Sequence, residues 1–403
     1  MKKKCNICDS DFTKLFNLGD HPCADTFYVN QFDAKKAKRK PLIVGYCKCH
    51  HLSSITNISG FDRYKKYDYS YTSGNSPIAI SHFKEISEII KKKFIKNKKC
   101  NLLEIASNDG TFLKNFNNNK KIKTVGVDPS SYICKLAKKN KIKNIVNEFF
   151  DNKSSQKIKK KYGNFNLIYA ANVFNHIDNP YEFLKNCKNL LIKNGILILE
   201  FPDLDQLLKK ISFDTIYHEH RNYYSRRSLI KVLKKLDLKL IKFESLEYMS
   251  GSLRVYIKNQ SFTKIDQSKF NKFNLKVFSK FIEKTKFIKN SLNLFTKKNK
   301  NKNIVGIGAA TKGNTLLNYC GFSHKQISCI LEKSTHKIGK FTPGSAIPII
   351  SEKTSNKVDA LIFLPWNINL FLKKKFLKKF KVDYISLEDI VKKYHDKNKK
   401  IKN

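Results

Sequence analysis

The sequence predicts an α/β protein of three units: a small metal-stabilised N-terminal unit, a central doubly wound sheet, and a second α/β unit towards the C-terminal end. Three observations predict it. Strand-like apolar runs alternate with amphipathic segments from Asn101 to Glu200, the pattern of parallel strands joined by crossover helices. A second such series opens at Asn303-Ile304-Val305-Gly306-Ile307-Gly308. Five of the ten cysteines lie in the first fifty residues, where the chain is otherwise turn-rich. At 403 residues the chain is longer than one core usually organises. The units are expected at residues 1–62, 63–245 and 246–403.

In the first unit, Cys5-x-x-Cys8 stands about forty residues before Cys47-Lys48-Cys49-His50-His51. Two knuckles of thiolate and imidazole ligands suit tetrahedral zinc. A metal would offset the chain entropy of a segment with little core. Cys5, Cys8 and Cys47 are expected ligands. The fourth is Cys49 or His50, and the two-residue spacing from Cys47 favours His50. Four protein ligands leave no open position, so the metal is expected to be structural.

A Tyr-rich link from Tyr64 to Ser76 leads to a helix-like stretch ending near Lys98. Strands are expected at Asn101–Ile105, Lys123–Val127, Phe165–Ala170 and Gly195–Glu200. Leu229–Leu236 reads as a helix, and Leu238–Leu246 and Ser252–Lys258 as strands. Asn271–Thr296 reads as a long helix linking two lobes. Further strands are expected at Ser328–Glu332 and Ala360–Leu364, and the charged tail from Lys392 is expected to fray.

Lys and Arg total 80 against 33 Asp and Glu, a net charge of +47. The excess is nearly all Lys, spread along the chain and interleaved with Asn and Ile. A nucleic-acid surface would cluster its charge and favour Arg, so a residue-usage bias on solvated faces is the better account. An anionic small substrate still gains from the field. No apolar run is long enough to span a membrane, and the N-terminal lysines have no apolar segment behind them. The remaining cysteines are scattered singly, as reduced core thiols, which together predicts a cytoplasmic monomer or homodimer.

Chemistry-bearing residues gather after the strands, where α/β folds place their sites. Glu104-Ile105-Ala106-Ser107-Asn108-Asp109-Gly110 follows a strand and precedes a helix, with small residues that allow a ligand close to the backbone. Asp128 ends the next strand, in register for ribose hydroxyls. A hydroxyl-binding turn rich in carboxylates and without phosphate-loop lysines suits S-adenosylmethionine better than NAD. Asn172 and His176 follow the third strand and are expected to line the cofactor pocket. Ile216-Tyr217-His218-Glu219-His220 puts proton-active side chains in one run. If extended, this segment would place His218 and His220 on one face. Gly306-Ile307-Gly308 with Lys312, Gly313 and Asn314 opens a helix whose amides favour an anion such as a diphosphate.

These residues resemble a known family, the three-domain S-adenosylmethionine-dependent C-methyltransferases of deoxysugar biosynthesis. The resemblance covers the zinc knuckles, Leu18-Gly19-Asp20-His21-Pro22, the Tyr69-Ser70-Tyr71-Thr72-Ser73 link and the Glu104–Gly110 turn. It continues through Asn172-Val173-Phe174 with His176, Phe213–His220, Gly251–Val255 and Gly308–Thr315. It implies a Rossmann-like methyltransferase domain between a zinc-binding domain and a C-terminal Rossmann-like domain, with a nucleotide-linked 4-keto sugar as substrate. It also implies His220 as general base. Tyr217 would then meet the developing oxyanion, Glu219 would orient His220 or hold a sugar hydroxyl, and Tyr71 would close over the sugar. Lys312, Gly313, Asn314 and Arg254 are the expected contacts to the nucleotide sugar. The second knuckle departs from the family's usual Cys-x-x-Cys, and Ala346 stands where His is common.

Overall fold

The computed structural model describes residues 3–56, 72–354, 357–365 and 369–400. Its N-terminal unit is built on antiparallel strands β1 (Thr13–His21), β2 (Lys40–Tyr46) and β3 (Leu52–Ser54). Phe16 and Leu18 on β1, and Leu42 and Val44 on β2, alternate inward as a half-buried sheet requires. The fourth strand of this sheet comes from far along the chain: β9 (Asn222–Tyr223), which pairs with β3.

The central sheet contains β4 (Cys100–Ile105), β5 (Ile122–Val127), β6 (Ile145–Val146), β7 (Phe165–Ala171), β8 (Leu191–Pro202), β10 (Lys239–Leu246) and β11 (Ser252–Lys258). Its order is β10-β11-β8-β7-β4-β5-β6. Pairing is parallel from β8 to β6, while β11 runs antiparallel to both β8 and β10. Near-continuous apolar runs such as Leu167–Ala170 are buried because helices cover both faces. The helices start where the sequence caps them. Ser76 precedes Pro77–Ile90, Ser130 precedes Ser131–Lys139, and Asp151 forms a capping box with Ser154. β11 belongs to this sheet, which therefore runs on to Lys258, past residue 245.

The last unit has five parallel strands, β12 (Ile304–Ile307), β13 (Cys329–Glu332), β14 (Ile349–Ser351), β15 (Ala360–Phe363) and β16 (Asp383–Ser386). Their order is β14-β13-β12-β15-β16. The long helix Leu275–Lys298 is more than a linker. Its Phe281 meets Phe16 at 5.9 Å and its Phe278 meets Tyr46 at 6.3 Å, so it joins the N-terminal and C-terminal units in one apolar core. No helix among the described residues is long and apolar enough to cross a membrane.

Candidate active site

Strand order reverses at β4, and a cavity of about 310 Å³ lies in the crevice beyond the carboxyl ends of β4, β5 and β7. Six expected cofactor residues line it: Glu104, Ala106, Asn108, Asp128, Asn172 and His176. The turn after β4 is held in an unusual shape, with Ala106 at φ 56° and Asn108 at φ 49°. Ser107 N–H donates to Val127 O at 3.1 Å, and Asn108 N–H donates to Asp128 Oδ2 at 3.1 Å. Left-handed non-glycine residues persist only where neighbours over-determine them, as these amides do.

The carboxylates at this turn are buried and perturbed. Asp128 Oδ1 accepts from Ser130 N–H at 3.0 Å. Burial, with the Asp109 charge adding, raises the Asp128 carboxyl to about 6 against the pull of its two amide donors. Burial also raises Glu104 well above the usual range, with Asp109 and Asp128 adding. Among the described residues, Glu104 Oε2 and Ser107 Oγ are buried without a hydrogen-bond partner. Buried orphans of this kind fit a ligand that brings hydroxyls and positive charge, which S-adenosylmethionine does.

Two expected cofactor residues do not line the cavity. Asp109 Oδ2 accepts from Gly74 N–H at 2.8 Å and its Oδ1 accepts from Thr111 Oγ1 at 2.6 Å. With Asn108 Oδ1 accepting from Ser73 N–H at 2.9 Å, it fastens the segment Ser73–Asn75 to the cavity rim. Gly110 takes φ 79° with Ile142 packed where a Cβ would stand. Tyr71 lies outside the described residues.

The Tyr217–His220 run is a turn, closed by His220 N–H donating to Tyr217 O at 3.0 Å. The expectation that His218 and His220 share a face is therefore corrected. His218 Nε2 lies 3.4 Å from Pro41 O in the N-terminal unit, and Glu219 Oε1 accepts from Asp25 N–H at 3.3 Å. The His220 ring lies tilted at 32° to Tyr217, with centroids 3.9 Å apart, and meets His176 edge-on at 4.8 Å. Its Nδ1 is 2.7 Å from Thr215 O. A carbonyl only accepts, so Nδ1 is the donor in this bond. His176 lines the cavity and His220 stands one ring behind it.

The four residues expected to contact the nucleotide sugar lie outside the lining of this cavity. Arg254 is 1% exposed within the central sheet, with Nε 2.5 Å from Glu200 Oε1 and Nη1 3.3 Å from Glu244 Oε2. Lys312 Nζ donates to Met249 O at 3.2 Å and to Ser250 Oγ at 3.4 Å. Gly313 packs on Leu364, and Asn314 Nδ2 donates to Ala24 O at 2.6 Å. Ala309 N–H, two residues before the helix Thr311–Cys320, donates to Glu332 Oε2 at 2.7 Å. Sequence reasoning missed Tyr248, Phe149 and Phe150, which also line the cavity. Tyr248 lies between two correctly expected strands, so the loop position was the available signal.

In the N-terminal unit, the sulfurs of Cys5, Cys8, Cys47 and Cys49 all lie within 4.8 Å of one another. Cys5–Cys49 is 3.9 Å, Cys8–Cys47 is 3.7 Å and Cys47–Cys49 is 3.4 Å. A zinc tetrahedron with bonds of about 2.3 Å has edges of about 3.8 Å, so the donor set fits. The expectation of His50 as fourth ligand is corrected to Cys49. His50 sits at φ 60° and turns its ring away, with Nδ1 3.3 Å from Phe273 O.

Comparison with known proteins agrees with this geometry. Residues 80–242 match a methyltransferase domain family and residues 249–381 match the family described as the C-methyltransferase C-terminal domain. The C-methyltransferase NovU of Streptomyces niveus is 26% identical over 380 residues, covering 90% of each chain. An uncharacterized protein of Methanocaldococcus jannaschii is 30% identical over 165 residues, which is 39% of this chain and 75% of that one. Among solved structures, an S-adenosylmethionine-dependent methyltransferase from Clostridium acetobutylicum is similar at 17% identity with a TM-score of 0.36, over 44% of this chain and 92% of that one. The chain belongs to the C-methyltransferases that join a methyltransferase domain to a C-methyltransferase C-terminal domain, and it is an S-adenosylmethionine-dependent enzyme of that family.

Proposed function

We propose that the enzyme methylates the carbon next to the keto group of a nucleotide-linked deoxysugar, through an enolate. The observation that carries this reading is the His176–His220 ring pair beside a cavity floored by Glu104 and Asp128. S-Adenosylmethionine, when bound, supplies an electrophilic methyl group. Asp128 would accept from its ribose hydroxyls, and the Glu104–Asn108 turn would surround its methionine end. His220 Nε2 would take the proton from the carbon beside the carbonyl, since a neutral imidazole is matched to that task near neutral pH. The Tyr217 hydroxyl would donate to the enolate oxygen as charge develops there. The enolate carbon would take the methyl group as its bond to the cofactor's sulfur breaks, the leaving group being the neutral thioether, and the His220 imidazolium would pass the abstracted proton to solvent. Zinc held by Cys5, Cys8, Cys47 and Cys49 would fix the unit that His218 and Glu219 lean on, without an open position for chemistry.

One observation favours a second reading. His176 is the histidine on the cavity wall, so it can serve as the base with His220 supporting it. Removing a general base costs on the order of 10²–10⁴ in rate. With a panel of nucleotide-linked 4-keto deoxysugars, His220→Gln is expected to lose that much turnover and the exchange of the substrate α-proton with deuterated water, while still binding S-adenosylmethionine. Loss of exchange in His176→Gln alone would move the base to His176. Retention of turnover in both variants would overturn the enolate reading at this site.

A further inference from the structure

The loop between β10 and β11 carries Tyr248 to the cavity wall, and three features fix it there. The Tyr248 ring lies face to face on His82, 3.7 Å away at 3°. His82 Nε2 is 2.6 Å from Glu200 Oε2, and the other oxygen of Glu200 holds Arg254. After Tyr248, Met249 at φ 54° and Ser250 at φ 72° take left-handed conformations in succession, ahead of Gly251 at φ 120°. Such conformations cost on the order of 1–3 kcal/mol each and gather at functional sites. A side chain at Gly251 would bring its Cβ within 2.6 Å of Gln206, so the loop cannot relax that way.

The third feature comes from another unit. Lys312, at the start of the helix Thr311–Cys320, directs its ammonium to Met249 O and Ser250 Oγ. Lys312 is part-buried, and desolvation lowers its pKa while the Asp214 charge opposes that shift. Tyr248 and Glu104 line the same cavity. Tyr169 pairs in register with Glu104 and packs edge-on to the cavity residue Phe83 at 6.3 Å, and Phe83 follows His82, the ring on which Tyr248 lies.

We propose that Tyr248 walls the methionine end of the cofactor cavity and that Lys312 is the positioning residue through which the C-terminal unit sets that wall. This rests on the reading that S-adenosylmethionine binds with its ribose at Asp128. Calorimetry on the full-length chain tests it, with S-adenosylmethionine and, as a probe lacking the methionine arm, adenosine. Tyr248→Ala is expected to weaken S-adenosylmethionine roughly tenfold, as loss of an aromatic wall allows, and to leave adenosine within about twofold. Lys312→Met is expected to show the same selective loss, with recovery in Lys312→Arg. If Lys312→Met does not fold in a thermal melt, Ser250→Ala, which removes one acceptor of the lysine, is read instead and must show the selective loss. Unchanged S-adenosylmethionine affinity in Tyr248→Ala, or equal losses for both ligands, overturns the proposal. Asp128→Ala separates the two levels: if it leaves both affinities intact, the reading of the cavity itself fails, whereas weakening of both ligands there isolates any failure to Tyr248 and Lys312.

Discussion

Asp128 titrates where an enzyme works. Its ionised form would accept from ribose hydroxyls, and burial raises its carboxyl to about 6. Cofactor affinity is therefore expected to be full above that pH and to fall up to about tenfold for each unit below it, since one proton is linked to binding. The pH profile of binding in wild type and Asp128→Asn checks this, and the variant's profile should lose the step. The fold's own stability runs the other way. A carboxyl with a raised folded-state pKa stabilises below the ordinary carboxylate range, and that contribution fades as the pH rises through about 6. Burial raises the Glu104 carboxyl well above its usual range, so a cationic ligand should expel its proton. Calorimetry in buffers of different ionisation enthalpy would show that release. Arg254 makes the opposite kind of statement. Its sequence context, Gly251–Val255, fitted a substrate contact, yet its guanidinium is enclosed with Glu200. Arg254→Met should leave a buried carboxylate without its partner and cost about 3–5 kcal/mol in a urea unfolding experiment.

Elements long enough to show their period were legible, and those set by distant partners were not. β4, β5, β7 and β11 each run six or seven residues, and their observed bounds differ by a residue or less from those expected. β6 is only Ile145–Val146, too short to alternate, and β9 is only Asn222–Tyr223, which becomes a strand because β3 lies beside it. Six residues expected near the strand ends line the cavity, since the strand end fixes where they point. The partners around the helix start at Lys312, Glu332 and the 249–250 loop, come from elsewhere in the chain and leave no local signal. The zinc knuckle shows the same limit at smaller scale. Spacing placed His50 within reach, but a left-handed residue reverses direction, and the turn closed by His50 N–H to Cys47 O points Cys49 inward. Metal analysis after dialysis is expected to find about one zinc per chain in His50→Ala and a clear loss in Cys49→Ser. The reverse pattern would restore His50 as ligand.

Across the whole molecule, 80 basic residues share 33 acidic ones, so more than half of them have no acidic residue to match one to one. That self-repulsion destabilises the compact state and is screened by salt, with a Debye length of about 10 Å at 0.1 M. The melting temperature is expected to rise between about 20 mM and 300 mM NaCl in calorimetric scans. A flat response would mean that the charges already lie too far apart to interact. The units themselves are laced rather than strung. Asp25 accepts from Thr311 Oγ1 at 2.6 Å while its amide reaches Glu219, so one short loop of the first unit touches both others. The strand β9 is another of these ties: it lends the sheet of the N-terminal unit its last edge from the run just after His220. Residues 1–56 are thus not a cassette that recombination could trade between relatives. A chimera cut near that point would keep a foreign β9, and its first symptom should be a misplaced histidine rather than a lost metal. Exchanging Asn222–Tyr223 along with the N-terminal piece is the repair that the topology dictates.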